Sequence, residues 1–235
     1  MPETQFTVLI PYYEKPESLP KILTFLEEHE KWVTEIIVLC DGSEPPAGSR
    51  NRCKLVELEE NHGLSWVRNE LLSKACGENI LFLDADAIPI GPFFEVLEKE
   101  WDRQSFFAGR EHSSPQEGYA NLYRSLFLVQ THGAQDLSEA PFLMGLCFGG
   151  KLENFKSLGG FHEGFRNHGE DLEFSFRAIS KNHKIQYLSS LCVFHERFDD
   201  PASLRNMMRN HAKLDRKSTR LNCSHSSVSR MPSSA

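Results

Sequence analysis

A chain of 235 residues that is 40% hydrophobic has enough apolar material for one sizeable core, which excludes wholesale disorder. Its net charge is −7, and residues 216–235 add Arg216, Lys217, Arg220 and Arg230 without any acid, so the preceding body is more acidic still and a poor nucleic-acid binder. No apolar run approaches the roughly 18 residues of a membrane span, "MPETQF" lacks a basic-then-apolar leader, and the 6 cysteines have no metal-type spacing, so a cytoplasmic chain with reduced thiols, at most peripheral to a membrane, is expected.

In chain order, "FTVLI" (6–10) predicts a buried strand, and Leu19, Ile22, Leu23 and Leu26 recur at helical spacing behind Ser18, a capping residue type. "EIIVLCDG" (35–42) repeats the strand pattern and "CKLVEL" (53–58) follows. Leu64, Val67, Leu71 and Leu72 then mark a helix ending near Gly77, and "NILFLD" (79–84) is the next strand. This alternation predicts an α/β fold with a mostly parallel central sheet and helices on both faces. Beyond Pro92 we expect a short helix with Phe94, Leu97 and Trp101, the strand "SFFAG" (105–109), and a loop with one helix over 110–140. Residues 142–165 are expected to form a Gly-rich strand and turn. A helix opens at Glu170 and Asp171, with Leu172, Phe176 and Ile179 as its apolar face, and "KIQYL" and "SLCVFHERF" are expected as closing strands. Periodicity stops near 215, so one domain is expected over 1–215 and a disordered or non-native tail over 216–235.

Three expected strand ends carry polar marks: "PYYE" (11–14), Asp41, and Asp84 with Asp86. In open α/β sheets ligands sit beyond the carboxyl ends of strands, so all three can line one crevice. Two carboxylates two residues apart after a buried strand suit a hard divalent cation shared with phosphate oxygens, or form a simple polar turn; the spacing leaves both readings open.

Taken together, "TVLIPYYEKPESL", "EIIVLCDGS", "NHGLSWVRNELLSKACGENILFLDADAIP" and "LGGFHEGFRNHGEDLEFSFR" resemble, in order, the blocks of family 2-like glycosyltransferases with the GT-A fold. The "GGF…GED" block is similar to the galactosyl- and N-acetylgalactosaminyltransferase-like branch, which implies an inverting transfer from a UDP-sugar with Mn2+ or Mg2+ to an acceptor: a glycan, lipid, peptide or small molecule. The resemblance assigns donor contact to Pro11, Tyr13, Glu14, Asp41 (base), Arg68 (phosphates) and Asp84 (ribose). It assigns metal binding to Asp86 and His195, the role of general base to Asp171, and acceptor support to Glu170. Glu14 stands where the family commonly has Asn, and "NHGED" lacks the Trp of some relatives. Two rival readings are a sugar-nucleotide-binding domain without turnover and an aspartyl-phosphate phosphatase with Asp84 as nucleophile. In the phosphatases, however, the Asp pair follows the first strand.

Overall fold

The computed structural model describes residues 4–13, 17–45, 48–49, 52–112, 118–166, 168–197 and 199–209. Glu14 and everything beyond 209, including the expected tail, lie outside them. The strands are β1 (Phe6–Tyr12), β2 (Val33–Asp41), β3 (Lys54–Leu58), β4 (Asn79–Leu83), β5 (Ala87–Ile90), β6 (Phe106–His112), β7 (Cys147–Lys151) and β8 (Ile185–His195). The helices are α1 (Leu19–Glu28), α2 (Leu64–Lys74), α3 (Phe93–Glu100), α4 (Tyr119–Phe127), α5 (Leu152–Ser157) and α6 (Glu170–Ser180), and residues 201–209 are helical as well.

One sheet runs β3-β2-β1-β4-β7-β6-β8-β5. β1, β2, β3 and β4 are mutually parallel, β7 is antiparallel to both neighbours, and β6 is parallel to β8. The mostly parallel sheet expected from the alternation is therefore present.

Side-chain alternation along the central strands divides the core between the two faces. From β1 and β4, Phe6, Val8, Ile10, Leu81 and Leu83 pack with Leu19, Ile22, Leu23, Leu26, Phe93 and Phe94 of α1 and α3. Leu9, Ile80 and Phe82 point the other way, against Val67 and Leu71 of α2, Phe155 of α5 and Phe174 of α6. Helices thus cover both faces.

Several expectations are corrected. "KIQYL" and "SLCVFHERF" are not two strands: they belong to the single strand β8. Residues 87–90 form β5 antiparallel to β8 at the sheet's edge, where Pro89 is tolerated because an edge strand needs no complete ladder. Ser18 caps α1 with its carbonyl, which accepts from Lys21 and Ile22, and makes no side-chain cap. On α6 the buried residues are Glu170, Phe174, Ser175 and Ala178, while Phe176 and Ile179 are exposed.

The chain leaves β1 for β2 and β3 on one side, then returns through α2 to β4 on the other. β1 pairs with β4 only as far as Leu9, so the strands part before Pro11. That parting opens a crevice at the carboxyl ends where the strand order reverses.

Candidate active site

A cleft of about 570 Å³ occupies this crevice, lined by Pro11, Tyr12 and Tyr13 from the end of β1, Asp41 from β2, Asp84 and Asp86 from the turn after β4, and His168. Asn61, Gly63, Leu64, Val67 and Ala85 complete the lining. Three carboxylates face the space and no Lys or Arg stands among these residues.

Asp41 is held by the approach to α2. Its Oδ1 accepts from the His62 backbone N–H at 2.7 Å and its Oδ2 from that of Gly63 at 2.9 Å. Gly63 sits at φ +95°, and a Cβ there would fall 2.3 Å from Cγ of Arg166, so glycine is required both by conformation and by space.

β4 ends at Leu83, and Asp84 begins a turn in which its N–H donates to Leu146 and its carbonyl accepts from Ala87. The Asp84 side chain keeps 28% of its surface accessible. Burial pushes its pKa up to about 6; Arg68 pulls it down, and Asp86 and Glu170 add to the rise.

Arg68 is sealed inside the protein. Its Nη1 donates to Glu170 Oε1 at 2.5 Å, and its Nη2 donates to Asp84 Oδ1 at 3.2 Å and to the Gly145 carbonyl at 3.0 Å. Burial opposes its charge, but Glu170, Asp84 and Asp171 more than offset that and raise its pKa. Asp171 follows Glu170 at the start of α6. Its Oδ1 accepts from the Leu172 N–H, and its Oδ2 lies close enough to Gly145 to stand 3.1 Å from any Cβ placed there. Burial, then the neighbouring Glu170, push Asp171 up to about 7.

On the other side of the turn, Asp86 Oδ2 lies 3.2 Å from His195 Nε2, and His195 Nδ1 lies 3.0 Å from Glu111 Oε1. The contact with Glu111 follows from parallel pairing of β6 with β8, in which Glu111 is opposite Val193. Burial works against a charged His195, but its hydrogen bonds to the Asp86 and Glu111 carboxylates outweigh it and push the pKa up to about 9. For a metal ion the fit is partial and coherent. A carboxylate on Nδ1 fixes the ring so that Nε2 faces Asp86, the arrangement usual behind a metal-bound histidine. Among the described residues no group of three or more His, Cys, Asp or Glu is arranged around a common point, so the protein offers two donors and the remainder would come from ligand and water.

The family model described as glycosyl transferase family 2 matches residues 7–159, most of the sheet. The chain belongs to glycosyl transferase family 2. A dolichyl-phosphate beta-glucosyltransferase of Drosophila melanogaster is 32% identical over 116 residues, 41% of this family 2 chain and 35% of that enzyme. Among solved structures, TarS 1-349 of S. aureus matches with TM-score 0.62 at 19% identity, covering 81% of this chain and 60% of that one. A mannosyltransferase of Pyrobaculum calidifontis, in complex with GDP-Man and Mn2+, matches with TM-score 0.54 at 19% identity over 82% of this chain and 57% of its own. These likenesses establish the GT-A fold. The chain thus spans about a third of its curated relative and under two thirds of the structural neighbours.

For a family 2 chain the expected residues divide clearly. Pro11, Tyr13, Asp41, Asp84 and Asp86 meet at one cleft, and His195 touches Asp86. Arg68 and Glu170 are instead buried against each other and are not among the residues lining the cleft. Glu14 lies outside the described residues. Glu111 and Gly145 were missed. A buried acid near the end of "FFAGREH" was the available hint for Glu111, but its partner stands 84 positions away. The phosphatase reading falls with the family membership.

Proposed function

We propose that this family 2 chain carries a hexose from a UDP-sugar to an acceptor hydroxyl with inversion, using Asp171 as general base and a divalent cation, Mn2+ or Mg2+, held by Asp86 and His195. The observation that carries the reading is the cleft itself: three carboxylates and, among the described residues, no lining Lys or Arg, at the switch point of a GT-A sheet. A diphosphate brought there needs a cation to offset its charge. When bound, that cation would stabilise negative charge on the departing diphosphate. The P. calidifontis neighbour holding GDP-Man and Mn2+ supports this, and the fly relative supports a hexose and makes a lipid phosphate one acceptor class to try.

The chain's own residues have separable tasks. Tyr13 offers an exposed ring beside the cleft, Asp41 keeps a carboxylate fixed by two backbone donors, and Asp84 presents a carboxylate to a ribose hydroxyl. Asp171 takes the proton of the acceptor hydroxyl as its oxygen bonds to the anomeric carbon and the bond to the diphosphate breaks. A carboxylate pushed up to about 7 is a stronger base than an ordinary one and is still largely ionised just above neutrality. Glu111 holds Nδ1 of His195 and thereby orients Nε2.

The test is release of UDP from a panel of UDP- and GDP-sugars with and without Mn2+, against glycan, peptide and lipid-phosphate acceptors, with product configuration read by NMR. Asp171→Asn should lower transfer by about 10² or more with little change in UDP affinity. Equal turnover by Asp171→Asn, or a retained anomeric configuration, contradicts the proposal, and turnover of GDP-sugars alone corrects the donor.

A further inference from the structure

A wholly buried arginine is costly unless its donors are matched, and Arg68 is matched on two fronts by one planar group. Its Nη1 reaches Glu170, the first residue of α6, and its Nη2 reaches Asp84, which faces the cleft. The rings of Phe148, Phe161 and Phe82 close around the guanidinium, with centroids 5.0, 5.5 and 5.9 Å away. On the Glu170 side no water can replace the carboxylate without opening the core. Glycine at 145 lets Nη2 donate to its carbonyl while Asp171 Oδ2 lies alongside; a Cβ there would stand 3.1 Å from Oδ2 and 3.6 Å from Nη2. Glu170 Oε2 and Arg68 Nε have no hydrogen-bond partner among the described residues, so the buried cluster is polar with an incomplete set of hydrogen bonds.

We propose that Arg68 is a positioning residue: its sealed guanidinium fork ties the donor-side carboxylate Asp84 to the first turn of α6, so that the donor cleft and the placement of Asp171 are coupled through one side chain. The charged groups around Asp171 are Glu170 on its own helix, Arg68 from α2 and Asp84 from the turn after β4. Arg68 favours the Asp171 carboxylate and Glu170 disfavours it, which gives the fork a signature that loss of packing alone lacks. Coupling is reciprocal: a change at either end is felt at the other. The inference depends on Asp171 being the base only for its kinetic readout.

The test follows the Asp171 carboxyl by 13C NMR, assigned by its loss in Asp171→Asn, in wild type, Arg68→Lys and Glu170→Gln, together with calorimetric titration of UDP and the pH profile of kcat. Lysine keeps a charge and loses the fork, so Arg68→Lys should move the Asp171 titration to higher pH and weaken UDP by about tenfold through the freed Asp84. Glu170→Gln, which removes a negative charge at constant shape, should move the titration to lower pH. Because it is isosteric, it keeps the test decisive where Arg68→Lys does not fold. Shifts in one common direction, an unmoved carboxyl in Glu170→Gln, or undiminished UDP affinity in folded Arg68→Lys overturn the inference. If the carboxyl moves as expected and kcat does not follow, the positioning role stands and the assignment of Asp171 as base fails.

Discussion

Asp171 and Glu111 are the side chains whose removal separates chemistry from architecture. Burial and Glu170 hold the Asp171 carboxyl up at about 7, against 3.8 for an ordinary aspartate, so kcat should climb as pH rises through 7 and level off above it. Folding has the opposite dependence. The native state keeps a proton on Asp171 between about 4 and 7 where the unfolded chain has lost it, so this group's contribution to stability falls across that window and its cost is complete above 7. Asp171→Asn should therefore raise the melting temperature relative to wild type at pH 8 and change it little at pH 4. A variant less stable than wild type at pH 8 contradicts the raised pKa. Glu111→Gln should weaken Mn2+ binding by about tenfold or more, read by isothermal titration calorimetry with the metal alone, because an amide cannot fix the imidazole as a carboxylate does. Unchanged affinity would put the metal elsewhere. That Asp41, Asp84 and Asp86 share one crevice was legible because each follows a strand in a short local motif. Glu111 and Gly145 were not, since their importance arises only from β6–β8 pairing and from contact between separate segments.

At the scale of the element, α6 shows where periodicity misleads. Leu172, Phe176 and Ile179 recur at helical spacing, yet Phe176 is 47% exposed while Phe174 is fully buried. Phe174 stacks on Phe161 at 4.8 Å and meets Phe106 and Phe155 at 5.3 and 5.4 Å. The helix is turned this way because Glu170 must face Arg68, and Ser175 accepts the Leu143 N–H from the same side. Polar anchors at the first and sixth residues thus set a face that an apolar count does not reveal. Phe174→Ala should cost about 3–5 kcal/mol by denaturant unfolding, and Phe176→Ala no more than about 0.5 kcal/mol. The reverse order would mean that the helix presents its other face. α1 was readable because its apolar stripe coincides with its buried face, and α2 in part, since Ser65 and Arg68 share its buried face with Val67, Leu71 and Leu72. β5 was not: "AIPI" is short, contains a proline, and is a strand only because β8 offers it an edge.

For the whole molecule, alternation of strand and helix was enough to reach a mostly parallel α/β sheet with a crevice at its switch point, since that topology follows from connections rather than from side-chain detail. The antiparallel pairs of β7 and β5 lay beyond it, because pairing between distant segments leaves no local pattern. Charge ties the architecture to the chemistry. In an acidic chain, the cleft is lined by Asp41, Asp84 and Asp86 with no Lys or Arg among its described lining residues, and the nearby Arg68 is committed to internal pairs. Metal and nucleotide should therefore bind with positive coupling, each tightening the other by the same factor. The most direct measurement is calorimetric titration of UDP into wild type and Asp86→Ala, with Mn2+ and with chelator. Wild type should bind UDP at least about tenfold more tightly with Mn2+, and Asp86→Ala should bind equally weakly in both conditions. Undiminished Mn2+ dependence in Asp86→Ala, or tight UDP binding by wild type in chelator, would contradict this account of the cleft.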